Sequence, residues 1–120
     1  MNPHAPVTAL VCRDLGFGYG RTRVLDGFSA EFGPGLTLIR GFSGCGKSTL
    51  LKLVAGYLRP DAGHIVLPGG FAPTDPVVAR ARLGFVFQQL NLLPLASLRR
   101  NLALVGSLAG LAAPEVARRT

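Results

Sequence analysis

The sequence lacks the features of disulfide-rich, membrane-spanning and secreted proteins. It contains no tryptophan, six acidic residues and two cysteines, Cys12 and Cys45. Two cysteines do not build a disulfide framework or a metal site. No apolar run reaches the ~18 residues of a membrane-spanning helix. No Lys or Arg precedes the apolar stretch that begins at Val7, which argues against a secretory signal. We therefore expect a cytoplasmic protein.

The charge is strongly one-sided. Thirteen Lys and Arg against six Asp and Glu give a formal charge of +7, which favours a polyanionic partner such as a nucleotide, a nucleic acid or an anionic membrane surface. The basic residues are scattered in runs of at most two, which is typical of a solvated surface and argues against nucleic-acid binding. A length of 120 residues and a hydrophobic content of 48% fit one domain and exclude a disordered chain.

Apolar patterning predicts both strands and helices. Apolar residues spaced i, i+3, i+4, i+7 and i+8 predict a helix over 47–57, and glycine and proline end it. Further helices are expected over 95–108 and from Pro114. A glycine-rich turn is expected at 16–20. Strands are expected over 7–12, 24–32, 36–40, 64–67 and 83–87.

One motif carries specific chemistry. Residues 41–48 read Gly-Phe-Ser-Gly-Cys-Gly-Lys-Ser, a full match to the P-loop pattern G-x-x-x-x-G-K-[ST] (Walker A). The glycines let backbone N–H groups turn toward phosphate oxygens, and the helix that follows points its positive end to the same place. Lys47 supplies a cation for the β- and γ-phosphates, and the Ser48 hydroxyl is suited to Mg²⁺. The motif lies between an expected strand and an expected helix, which argues against a chance glycine turn.

With this motif in place, the sequence resembles the ATP-binding cassette (ABC) ATPase subunits of membrane transporters over about residues 8–118. Residues 89–94 (QLNLLP) are most similar to transporters of the lipoprotein-release and macrolide-export type. The family resemblance is carried by Tyr19-Gly20 with Val24-Leu25, by the extended loop 41–51 (GFSGCGKSTLL), by 55–65 (AGYLRPDAGHI) and by 84–88 (GFVFQ), which leads into the Q-loop.

The resemblance implies an α/β fold of the P-loop type. Strand 36–40 would belong to a mostly parallel core sheet, and residues 7–32 and 63–68 would form an antiparallel β lobe on the adenine side. Tyr19 would stack on the adenine of ATP, although it could instead pack on its own strand. Gln88, with Gln89 as the rival, would contact Mg²⁺ or the attacking water. The phosphate-binding residues would be Gly41, Ser43, Gly44, Cys45, Gly46, Lys47, Ser48 and Thr49.

The resemblance also implies partners. A second ATPase subunit would complete a dimer, and a transmembrane permease would hold the chain at the inner face of the cell membrane. Residues 89–102 would face that permease. Three of their leucines, Leu90, Leu92 and Leu93, would contact it or form local core.

Several motifs of the family do not occur in the 120 residues. There is no Leu-Ser-Gly-Gly-Gln signature, no Asp after four apolar residues (Walker B) and no late switch histidine. Residues 1–120 are therefore expected to be the N-terminal part of a single ABC ATPase domain, which binds ATP and does not hydrolyse it alone. The alternatives are a non-catalytic nucleotide-binding remnant and a soluble ABC protein that acts on nucleic acid or ribosomes.

Overall fold

The computed structural model describes residues 8–75, 82–89 and 91–119. The chain divides into two compact units, Met1–Leu83 and Gly84–Thr120, and each is described by itself. Within the described ranges, no helix is both long enough and apolar enough to cross a bilayer.

The first unit contains an antiparallel sheet. Its strands are β1 (Leu10–Tyr19), β2 (Thr22–Phe32) and β3 (Ala62–Val66). β1 lies in the centre and pairs antiparallel with both neighbours, in the order β2-β1-β3. The predicted antiparallel β lobe is therefore confirmed. The expected turn at 16–20 is wrong for residues 16–19, because β1 continues through Gly16 and Gly18 as far as Tyr19, and the chain turns at Gly20 and Arg21.

A single apolar cluster joins this sheet to helix α1 (Lys47–Val54). α1 ends three residues before the predicted end, because Gly56 adopts a φ of 76°, which an L side chain rarely adopts. The N–H of Tyr57 then donates to the Lys52 carbonyl at 2.9 Å, and that of Gly56 donates to the Leu53 carbonyl at 3.1 Å. The buried members of the cluster are Cys12, Leu15, Phe17, Leu25, Leu50, Leu53 and Ile65.

Two predicted buried strands are not formed. Residues 36–40 and 83–87 have no strand pairing in the described structure. Leu36 is fully exposed and Leu38 is 77% exposed, while Ile39 packs against the cluster. An apolar run becomes a strand only when a neighbouring strand takes its backbone hydrogen bonds. The described part of the chain offers 36–40 no such neighbour, so the expected core sheet around it is not observed.

The second unit contains helices α2 (Leu98–Leu108) and α3 (Ala113–Arg119). The Ser97 side chain caps α2 by accepting the N–H of Arg100 at 3.3 Å. Gly106 lets the two helices approach, since a Cβ there would lie 3.0 Å from a methyl group of Val116. Both helices were predicted, and α2 begins three residues later than expected.

Candidate functional site

The P-loop motif forms a tight turn before α1. Gly44 and Gly46 have φ angles of 82° and 101°, in the left-handed region that favours glycine. The N–H of Cys45 donates to the Phe42 carbonyl at 3.3 Å, which closes the turn. A Cβ on Gly44 would meet nothing within 4 Å, so the loop has open space on that side.

Lys47 folds back over this loop. Its Nζ donates to the carbonyl oxygens of Gly41 at 2.7 Å and Phe42 at 2.6 Å, and lies 3.5 Å from the Cys45 Sγ. The side chain is half-buried. The ammonium group is therefore held at the loop by backbone oxygens, where its charge acts on any anion that the loop binds.

The first turn of α1 adds donors to the same place. Gly46 precedes the helix without a side-chain cap, and no acidic residue lies in the first turn. The i to i−4 bonds of α1 start with the Leu50 N–H, which donates to the carbonyl of Gly46, the residue before the helix, at 2.9 Å. The preceding amides of the first turn have no intrahelical acceptor, so the helix end attracts anions. Ser48 is exposed, whereas Thr49 is buried.

The strand that follows Tyr19 contacts this loop. Val24 of β2 lies 3.0 Å from the position that a Cβ on Gly46 would take. Tyr19 ends β1, is 50% exposed, and packs edge-on against Phe17 with ring centroids 5.0 Å apart. The structure therefore places an exposed aromatic ring on the hairpin that meets the P-loop.

The Q-loop candidates lie in the second unit. Gln88 and Gln89 form a bend, and both are exposed. Leu90 lies outside the described residues, and Leu92 and Leu93 are half-exposed. The preference for Gln88 over Gln89 stays a prediction, as does the likeness of 89–94 to lipoprotein-release transporters.

Sequence reasoning missed two polar residues. The Oδ1 of Asn101 accepts the Leu93 N–H at 2.7 Å, and its Nδ2 donates to the Ala96 carbonyl at 3.2 Å, so this buried amide organises the segment before α2. Asp61 accepts the Gly18 N–H at 3.1 Å across 43 residues. Asn101 could have been found from the sequence, because it is a polar residue among the apolar positions of α2. For Asp61 the sequence offers only its place between Pro60 and Gly63, which does not indicate a bond to Gly18.

Comparison with known proteins agrees with this geometry. Residues 25–119 match the ABC transporter family. The chain is 42% identical over 103 residues to a ribose import ATP-binding protein of Streptomyces coelicolor, covering 82% of this chain and 20% of that protein. It is 41% identical over 98 residues to Nod factor export ATP-binding protein I of Paraburkholderia xenovorans, covering 81% and 32%.

Solved structures give the same result. The structure of an ATP-binding subunit of an ABC transporter superposes with a TM-score of 0.69 at 26% identity, over 93% of this chain and 47% of that one. A dimeric bacterial ABC transporter cassette gives 0.66 at 22% identity, over 92% and 53%, which supports the fold. The predicted P-loop ATPase fold is confirmed. This chain spans from a fifth to about half of the length of these relatives. The chain belongs to the ABC transporter family.

Proposed function

We propose that residues 41–49 bind the triphosphate of ATP. The observation that carries the proposal is the position of Lys47, whose ammonium group lies over a glycine loop at the start of α1. In the proposed complex Lys47 contacts the β- and γ-phosphates. Backbone N–H groups of Gly44 and Gly46 and of the first helical turn donate to phosphate oxygens. Cys45 keeps the turn closed through its N–H bond to the Phe42 carbonyl. Gly41 and Ser43 complete the loop, and Thr49 contributes its backbone.

Ser48 is the proposed Mg²⁺ ligand. Its hydroxyl is exposed in the first turn of α1, next to Lys47. A neutral oxygen fits the ligand set that Mg²⁺ prefers, in which phosphate oxygens and waters fill the other positions. When bound, Mg²⁺ neutralises phosphate charge and supports phosphoryl transfer. Gln88 is the proposed Q-loop glutamine that contacts this ion or the attacking water.

Tyr19 is the proposed adenine-stacking residue. Half of its surface is exposed, and the buried Phe17 ring orients it edge-on. Stacking on a base requires an exposed aromatic face and does not require base-specific hydrogen bonds. The contact between Val24 and Gly46 supports a role beside the phosphate loop.

Residues 1–120 are proposed to form the N-terminal part of a single ABC ATPase domain. The ribose import and Nod factor export proteins that this chain resembles are ATP-binding proteins, and one of the similar cassettes is dimeric. By this analogy the protein pairs with a second ATPase subunit and works with a transmembrane permease at the inner face of the membrane. There it would couple ATP binding and hydrolysis to transport.

Titration calorimetry tests this function. The chain should bind Mg-ATP much more tightly than AMP, because Lys47 and the loop act on the β- and γ-phosphates. Equal affinity for the two nucleotides would contradict the proposal. Phosphate release should stay at background, because the 120 residues contain neither a signature nor a Walker B aspartate, and binding the ground state does not accelerate the reaction. Turnover that Lys47→Ala abolishes would show that the chain supplies its own catalytic carboxylate.

A further inference from the structure

Asp61 lies directly before β3, beside the end of β1 that carries Tyr19. Its backbone N–H donates to the Gly16 carbonyl at 2.8 Å, and its Oδ2 accepts the Gly18 N–H at 3.1 Å. β3 itself begins at Ala62. The side chain of Asp61 therefore extends the hydrogen bonding between β1 and β3 by one bond beyond the end of the strand.

The same carboxylate oxygen faces a cation on the other neighbour of β1. The Nη1 of Arg23 lies 3.8 Å from the Asp61 Oδ2, and Arg23 pairs with Gly18 in the register of β1 and β2. That register shifts between Phe17 and Gly18. One oxygen atom thus connects all three strand segments at the point where the regular pairing of β1 is interrupted.

Gly18 is held on both sides. Its N–H donates to Asp61, its backbone pairs with Arg23 of β2, and the Thr22 carbonyl approaches so closely that a Cβ on Gly18 would lie 2.6 Å from it. Tyr19 follows immediately, and its ring packs against Phe17. The Tyr19 backbone is therefore held through Gly18, and its ring is held by Phe17.

We propose that Asp61 is a positioning residue for base stacking, which holds the end of β1 so that the Tyr19 ring is ready for the adenine. The proposal rests on the proposed function, since it requires ATP at the P-loop and the base on Tyr19. Asp61 acts through Gly18 and makes no contact with the base. Its contribution is preorganisation, because a ring that is already held loses less conformational freedom when the nucleotide binds.

The chain offers a matched control on the same sheet. Arg13 and Glu31 form an ion pair at 3.9 Å, and their exposure is close to that of Arg23 and Asp61. Arg13 and Glu31 lie toward the opposite end of β1 and β2 from Tyr19. Glu31→Ala therefore removes an equivalent charge and ion pair without affecting the end of β1 that carries the ring.

The experiment compares Mg-ATP with inorganic triphosphate as ligands of the wild-type chain, Asp61→Ala and Glu31→Ala. Asp61→Ala should weaken ATP binding by about three- to tenfold, as expected for the loss of one ordinary hydrogen bond at an exposed site. Triphosphate has no base, so its affinity should not change. Glu31→Ala should leave both affinities unchanged, and the Asp61→Ala loss should disappear in a Tyr19→Ala background.

Each other outcome overturns the proposal in a recognisable way. An equal loss for ATP and triphosphate would show that Asp61 supports the fold in general, and a loss that persists with Tyr19→Ala would show that it does not act through the ring. A wild-type chain that binds neither ligand would refute the proposed function itself, before any variant is compared. If circular dichroism shows that Asp61→Ala does not fold, Arg23→Ala replaces it. Removing this exposed ion-pair partner should weaken ATP binding about twofold and leave triphosphate binding unchanged. Unchanged ATP affinity in this variant would refute the proposal.

Discussion

The Nζ of Lys47 lies 2.7 Å from the carbonyl oxygen of Gly41, six residues earlier in the chain. A second bond, to the Phe42 carbonyl at 2.6 Å, holds the same nitrogen. Lys47 therefore fixes the conformation of the same loop at which its charge would attract phosphate. Because the contacts are to backbone oxygens, the ammonium group keeps its full charge for an anion, which a carboxylate partner would partly neutralise.

Lys47→Ala should weaken binding of both Mg-ATP and inorganic triphosphate by at least about 2 kcal/mol, because a charge-assisted contact to phosphate is lost. Calorimetry on the variant and the wild-type chain measures the difference. Lys52→Ala is the control, since Lys52 lies in the last turn of α1, away from the loop. Equal nucleotide affinity of the two variants would contradict the role proposed for Lys47.

Gly46→Ala should lower the free energy of unfolding more than Gly44→Ala. Both residues have positive φ, and placing an alanine there costs about 1–2 kcal/mol. The new methyl group at Gly46 would also lie 3.0 Å from Val24, whereas the one at Gly44 would meet nothing. Urea denaturation of the two variants measures the difference. Equal losses would mean that Val24 moves aside without cost.

Cys45 should react with iodoacetamide before Cys12. Burial raises the pKa of the Cys12 thiol, so less of it is the reactive thiolate at neutral pH. Cys45 is half-buried in the P-loop, 3.5 Å from the Lys47 ammonium group. Mass spectrometry should find Cys45 labelled first, with Mg-ATP slowing the reaction. Faster labelling of Cys12 would contradict the predicted order of reactivity, and no protection by ATP would argue against nucleotide at this loop.

The stability of α3 should decrease at acid pH, as Glu115 becomes protonated. Hydrogen bonds from Arg119 and Arg118 hold the pKa of Glu115 below its ordinary value. The folded-state pKa is lowered, so the stabilisation is present above the unfolded value of about 4.3 and is lost as the pH falls through the folded value. Circular dichroism should show a helical signal that falls with acid in this range, less steeply in Glu115→Gln. Identical acid profiles for both chains would contradict this role.

Sequence patterns over a few neighbouring residues predicted correctly the elements that form through contacts between neighbouring residues. The apolar spacing of α1, the glycine loop before it and the alternation in β2 all correspond to observed structure. The prediction of a strand over 36–40 is wrong. A strand needs a neighbouring strand to pair with, and an apolar run by itself does not show whether one is present. The glycines of 16–20 predict a turn, whereas Gly16 and Gly18 lie within β1, where the Thr22 carbonyl approaches Gly18 too closely for a side chain.

The residues of the candidate site also differ in whether the sequence could predict them. Spacing alone predicted Lys47 and Ser48, since one loop and one helix start place them. The hydrogen bond between Asp61 and Gly18 spans 43 residues, and no periodicity in the sequence records such a pairing. Sequence reasoning therefore found the residues proposed to contact phosphate and missed the residue proposed to position the aromatic ring.

Backbone NMR of the chain during a Mg-ATP titration tests the central claim most directly, because it locates the nucleotide. We predict that the amide signals of Gly44, Gly46, Lys47 and Ser48 shift most, that Tyr19 shifts with ATP and not with inorganic triphosphate, and that Lys47→Ala removes the response. Shifts confined to other residues, or none at saturating nucleotide, would contradict the account.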